Sequence, residues 1–182
     1  LSDSKIASVG RLYAKLLSRR SNGPERVVDK YLTNYLHLGL LHRALPGARF
    51  VHATRGTIDN VFSCFKVLFT SNVPFTYDLD EAAEVLRQSY RLMDHWKSIM
   101  PGVIHEVKYE DFVADFEGES KKLLGFLGHE WEAGCADFHN TKRQVNSASA
   151  TQVRQPLYGS SVNAWKPYEK HLAPFVARLE NQ

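Results

Sequence analysis

Three short runs rich in apolar residues end on groups that can do chemistry: RVVDK (26–30) on Lys30, ARFVHAT (48–54) before Arg55, and VIHEVKY (103–109) on Tyr109. Each run reads as a strand. In open α/β sheets ligands bind beyond the carboxyl ends of the strands, so these three residues are expected on one edge. Arg55 is followed by Gly56 and Thr57, which let the chain turn and open a helix. A helix N-terminus offers unpaired N–H groups and a partial positive charge, and a guanidinium adds a fork of donors matched to phosphate oxygens. Ser63, two turns into that helix, can add a hydroxyl. The spacing equally fits an ion pair between Arg55 and Asp59, so an anion site and an internal salt bridge both stand. Lys30 can clamp a phosphate or leaving group, or pair with Asp29 at the surface, where such pairs contribute little.

NSASATQVRQPLYGSS (146–161) brings together Ser147, Ser149, Thr151, Arg154, Ser160 and Ser161 with little periodicity. It reads either as a loop folding over an anionic ligand or as a polar surface loop. The segment 70–80, with Phe69, Phe75 and Tyr77 around it, reads either as an apolar acceptor wall or as a packed loop.

Several other chemistries are excluded. There is no G-x-x-x-x-G-K-[ST] loop, no G-x-S-x-G elbow and no N-x-[ST] sequon. His105-Glu106 and His129-Glu130 begin an H-E-x-x-H zinc motif, but Tyr109 and Ala133 stand where the second histidine is needed. Trp96, Trp131 and Trp165 are too scattered to stack bases and read as packing residues.

The elements that would position these groups alternate. An amphipathic helix spans 3–20, with Ile6, Val9, Leu12, Tyr13, Leu16 and Leu17 at three- and four-residue spacing. Helices are expected at 33–45, 57–69 and 81–99, the last capped by Asp80. Shorter ones are expected near 110–115, 118–128 and 130–138. The final segment, 163–181, reads as helical, with Pro167 and Pro174 marking breaks or starts. Strands alternating with helices imply a parallel sheet covered on both faces.

The 182 residues are enough for one domain, with 43% hydrophobic and 24% charged residues and a net charge of +3. That charge argues against a nucleic-acid protein but allows a local basic pocket. No apolar run is long enough to span a bilayer, so no membrane partner is expected. Cys64 and Cys135, the two cysteines, read as reduced and buried.

In order, these segments resemble the sulfotransferase family, over about residues 27–175. The likeness is greatest to the bacterial tetratricopeptide-linked branch, and more distant to the tyrosylprotein sulfotransferases. DKYLTNYLHLGLLHRALPGARFVHATRGTIDNVFSCF resembles the family's lysine strand, helix and arginine–serine phosphate motif. YRLMDHWKSIMPGVIHEVKYEDFVADFE resembles its central helix and Y-E-D strand end. FHNTKRQVNSASATQVRQPLYGSSVNAWKPYEKHLAPF resembles its C-terminal cofactor loop, the most specific of the three. The resemblance implies one domain over 1–182 with a three-layer P-loop NTPase-like fold, a parallel sheet flanked by helices. It implies transfer of the sulfuryl group of 3′-phosphoadenosine 5′-phosphosulfate to a hydroxyl or amine of a small-molecule or protein acceptor, without a metal. It assigns Arg55 and Ser63 to the 3′-phosphate, Lys30 and Ser149 to the reacting phosphosulfate, and Tyr109 to a place beside the nucleotide. The loop through Gln152, Val153, Arg154 and Tyr158 would close over the nucleotide, with Lys166 as a further cation.

The chain departs from the family pattern at three places. Gly56 stands where an acid usually follows the arginine, and Ala164 stands where a base usually precedes the tryptophan, with Lys166 just after it. The opening strand–loop–helix, which binds the 5′-phosphosulfate and carries the general base, has no counterpart here. The chain is therefore expected to be a domain lacking its opening segment. The likeness to the bacterial branch, with no secretory signal in these residues, favours a cytoplasmic location. A catalytically inactive nucleotide- or protein-binding module of the same fold is the alternative.

Overall fold

The computed structural model describes residues 2–20, 26–69, 73–140 and 154–180. They form seven α-helices and two strands in two compact units. Residues 1–50 with 89–104 make the first unit, and 51–88 with 105–182 the second.

In the first unit, α1 (Asp3–Arg20) follows the expected bounds and packs on α2 (Leu38–Ala44). Ile6, Gly10, Tyr13 and Leu17 form the less exposed face of α1, at the spacing of one helical stripe. The two backbones approach closely at Gly10, where an added Cβ would lie 1.8 Å from the Ala44 carbonyl oxygen. A 3₁₀ turn at Asn34–His37 precedes α2, so the expected single helix over 33–45 is split. Leu38, Met93 and Met100 form this unit's core, with Tyr35, Phe50, Trp96, Val103 and Ile104 against them. The Trp96 indole donates to the Tyr35 carbonyl at 2.8 Å, satisfying its N–H inside that packing.

The strand expected at 26–30 is not there. The segment is irregular and exposed, and Val28 is 94% accessible. Apolar, β-branched composition favours a strand only where neighbours complete a ladder and cover its faces. Here the Asp29 carboxylate instead accepts from the Tyr13 hydroxyl of α1.

Strand β1 (Phe50–Thr54) pairs in parallel with β2 (Ile104–Lys108), the two-stranded sheet of the described residues. In the second unit, β1 runs through Arg55 and Gly56 into α3 (Thr57–Phe65), and β2 runs directly into α5 (Tyr109–Ala114). Its core joins Val61 of α3, Ala82 and Ala83 of α4 (Leu79–Ile99) and Phe175 of α7 (Glu169–Glu180). The cap of α4 is Asp78, not the expected Asp80. Asp78 Oδ1 accepts from the N–H groups of Asp80 and Glu81 at 2.8 and 3.0 Å, the geometry of a residue just outside the first turn. Asp80 faces outward and holds Arg178 of α7 through two bonds, at 3.0 and 2.8 Å.

Helix α6 (Phe116–Leu127) is capped by Asp115 and ends at Gly128 in the left-handed conformation. The helix expected at 130–138 is a 3₁₀ stretch at Ala133–Asn140. Pro167 starts a 3₁₀ turn at Lys166–Tyr168, whereas Pro174 lies inside α7 without ending it. Cys64 and Cys135 are free and half-buried.

Candidate functional site

Arg55 emerges from the carboxyl end of β1 with its side chain 19% exposed. Three groups surround it. One Nη donates to the Ser161 carbonyl, and the same nitrogen lies 3.7 Å from Oδ1 of Asp59, one turn into α3. The guanidinium carbon stands 5.2 Å from the centroid of the Tyr109 ring. A cation above an aromatic face is attracted by the ring quadrupole, so Tyr109 holds Arg55 without consuming a donor. The internal pair that the sequence left open is therefore made, within a larger arrangement.

Further contacts join residues too far apart in sequence for spacing to reveal them. Glu110 Oε1 accepts from the Gly56 N–H at 2.9 Å, so an acid stands beside Gly56 although none follows Arg55 in sequence. Asp59, 6% exposed, accepts from the Asn163 N–H at 2.7 Å and the Trp165 N–H at 3.4 Å. The Tyr109 hydroxyl donates to the Tyr158 carbonyl at 3.0 Å. Arg55, Asp59 and Tyr109 thus all grip the stretch 158–165. Turns at Gly159–Val162 and Asn163–Lys166 shape that stretch, and Asn163 has a left-handed φ of 59°.

Ser63 is half-buried on α3, one turn beyond Asp59 and on the same face. Burial pushes the neighbouring Cys64 thiol above its ordinary value, outweighing the opposite pull of Arg55. A thiol kept protonated in this way is a poor nucleophile. Phe62, on the same helix, packs its ring 5.1 Å from Tyr168, and Lys66 lies over it at 5.4 Å.

Of the residues singled out from the sequence, the structure brings Arg55, Tyr109 and Tyr158 together, with Ser63 on the adjoining helix. Arg154 and Lys166 are exposed on the same C-terminal stretch. Lys30 belongs to the first unit and sits on exposed, irregular chain instead of a strand end. Ser149, Gln152 and Val153 lie outside the described residues. Around 70–80, Phe75 packs against the second unit's core and the Tyr77 hydroxyl donates to the Phe69 carbonyl, which favours the packed loop over an acceptor wall.

Chemically, the arrangement offers a permanent cation at the start of a helix, a hydroxyl on that helix, and one carboxylate, Asp59, beside the cation. Among the described residues no group of His, Cys, Asp or Glu could hold a metal ion. The donor set suits an anion with several oxygens.

Known proteins resemble this chain in sequence and in fold. The family model described as the sulfotransferase family matches residues 3–133. An uncharacterized protein of Aquifex aeolicus (strain VF5) is 30% identical over 178 residues, which is 96% of this chain and 23% of that protein. The solved sulfotransferase domain from the curacin biosynthetic pathway aligns with a TM-score of 0.65 at 18% identity, over 87% of this chain and 60% of that one. The chain therefore spans under a quarter of its curated relative and 60% of the solved chain. The structural likeness shows the fold, a P-loop NTPase-like arrangement of helices on a parallel sheet, as the sequence led us to expect.

Proposed function

Because this chain belongs to the sulfotransferase family, we propose that it binds 3′-phosphoadenosine 5′-phosphosulfate and forms part of an enzyme that transfers the sulfuryl group to a hydroxyl or amine. The observation that carries this reading is Arg55, held half-buried at the end of β1 between a carboxylate, an aromatic face and a backbone carbonyl. A guanidinium so held meets a phosphate with little further ordering, which is where preorganisation gains affinity.

The residues fit the nucleotide in kind. Arg55 would take phosphate oxygens through its donor fork, and Ser63 would add a hydroxyl. The ring of Tyr109 would keep the guanidinium in place, and Tyr158 would lie at the rim with the rest of the stretch that follows it. The donor supplies an activated sulfuryl group whose leaving oxygen gains negative charge on transfer. Positioned cations stabilise such charge without metal chemistry. Lys30 and Ser149 are the proposed groups for that end of the donor, and Gln152, Val153, Arg154 and Lys166 for its cover. The acceptor is proposed to be a small molecule or a protein side chain.

Titration calorimetry of the chain with 3′-phosphoadenosine 5′-phosphate tests the reading. Saturable binding is expected, weakened about tenfold or more in Arg55→Ala, since a charge-assisted bond contributes about 1.5–3 kcal/mol. An absence of heat up to millimolar nucleotide would overturn it.

A further inference from the structure

Asp59 is the buried acid that the proposed chemistry leaves without a task. It is almost fully buried, yet it contacts three groups of the second unit's site. Its two oxygens take the Asn163 and Trp165 N–H groups, and the Arg55 guanidinium lies 3.7 Å away. Arg55 in turn donates to Ser161, two residues before Asn163. The contacts close a ring: Arg55 to Asp59, Asp59 to the backbone of 163 and 165, that backbone to Ser161, and Ser161 back to Arg55.

The ring depends on the backbone of Asn163. Its φ of 59° turns the chain so that the N–H groups of residues 163 and 165 both aim at one carboxylate. Neighbouring N–H groups around a left-handed residue form a concave anion-binding nest, and here the anion is a side chain of the protein itself. Asparagine tolerates this conformation better than other residues with a side chain.

We propose that Asp59 is a positioning residue: by binding the 163–165 nest and facing Arg55, it makes the docking of residues 158–165 and the orientation of the Arg55 guanidinium a single event. This rests on the proposed role of Arg55 as the ligand of the nucleotide's 3′-phosphate. Without Asp59 the stretch lifts from α3 and Arg55 loses both its counter-charge and its carbonyl acceptor. The remaining cation can still meet an anion, but no longer in one geometry.

The test separates this role from general support of the fold. Binding of 3′-phosphoadenosine 5′-phosphate and of adenosine 5′-phosphate, which lacks the 3′-phosphate, is measured for the chain and for Asp59→Asn. Amide hydrogen exchange is followed in parallel. Asp59→Asn is expected to lower the preference for the 3′-phosphorylated nucleotide about tenfold, and to speed exchange at residues 161–165 while α6 stays protected. Asn163→Val, which leaves Asp59 intact but penalises the left-handed turn, should reproduce both effects, and Asn163→Gly should not. Equal weakening of both nucleotides with unchanged exchange at 161–165 would overturn the proposal. If neither nucleotide binds the unaltered chain, the functional reading fails, while the exchange arm still decides whether Asp59 docks the stretch. Should Asp59→Asn not fold, the Asn163 pair carries the test.

Discussion

Tyr109 makes two contacts that substitution can separate. Tyr109→Phe removes the hydroxyl that donates to the Tyr158 carbonyl at 3.0 Å, but keeps the ring beneath Arg55. Tyr109→Leu removes both. The hydrogen bond is partly buried, and Tyr158 is only half-buried, so water can reach the carbonyl that loses its donor. The loss should therefore sit near the middle of the range for a neutral bond, about 1 kcal/mol or a fivefold change in the unfolding equilibrium. The cation–aromatic contact involves a guanidinium 19% exposed. It falls between exposed and desolvated cases and adds about 1 kcal/mol. Urea denaturation should then place Tyr109→Phe about 1 kcal/mol and Tyr109→Leu about 2 kcal/mol below the parent, before any difference in ring packing is counted. Calorimetry with 3′-phosphoadenosine 5′-phosphate should show Tyr109→Phe within about twofold of the parent and Tyr109→Leu about fivefold weaker, since only the second removes the ring that faces the guanidinium. Equal affinity losses in the two variants would refute the claim that the ring, and not the hydroxyl, holds Arg55.

Two other outcomes follow from the first unit. Gly10→Ala places a Cβ 1.8 Å from the Ala44 carbonyl oxygen, a backbone atom that cannot swing aside. Prying α1 from α2 should cost about 1–3 kcal/mol, seen as a lower denaturation midpoint. The hydrogen bond to Asp29, with burial and the Asp29 charge behind it, pushes the Tyr13 phenol up to about 12. Ionising it would set two anions side by side, so the folded state holds this proton more tightly than the unfolded chain. The contribution to stability is whole below pH 10 and fades as pH rises from about 10 to about 12. Ultraviolet titration should show one phenol of the parent ionising late and returning toward 10 in Asp29→Asn, and an identical curve for that variant would count against the contact.

Much of the framework was legible because it depends on neighbours in sequence. The periodicity of α1, the strand cores at 50–54 and 104–108, and the turn at Gly56-Thr57 are all local signals. The failures share a cause. RVVDK has strand composition, but a strand is completed by its neighbours, and no local signal says whether a ladder will form. Asp78 and Asp80 are both competent caps; Asp78 makes the cap, and Asp80 pairs instead with Arg178, 98 residues away, a contact no local pattern shows. At the site, Arg55 and its possible pairing with Asp59 were visible from a four-residue spacing. The contact between Gly56 and Glu110 spans 54 residues and that between Asp59 and Asn163 spans 104, so neither could be read from local pattern. Gly56 illustrates the limit well: no acid follows Arg55 in the sequence, but the fold brings Glu110, in the first turn of α5, to the Gly56 N–H.

The three residues that hold 158–165 do so through its peptide groups: the carbonyls of Tyr158 and Ser161 and the N–H groups of Asn163 and Trp165. Peptide groups are common to nearly every amino acid. The path of this stretch can therefore be inherited while its outward side chains drift, Asn163 being the position most constrained by backbone shape. Descendants of this chain can therefore replace the side chains along 158–162 without rebuilding the grip beneath them, because that grip is made on backbone atoms.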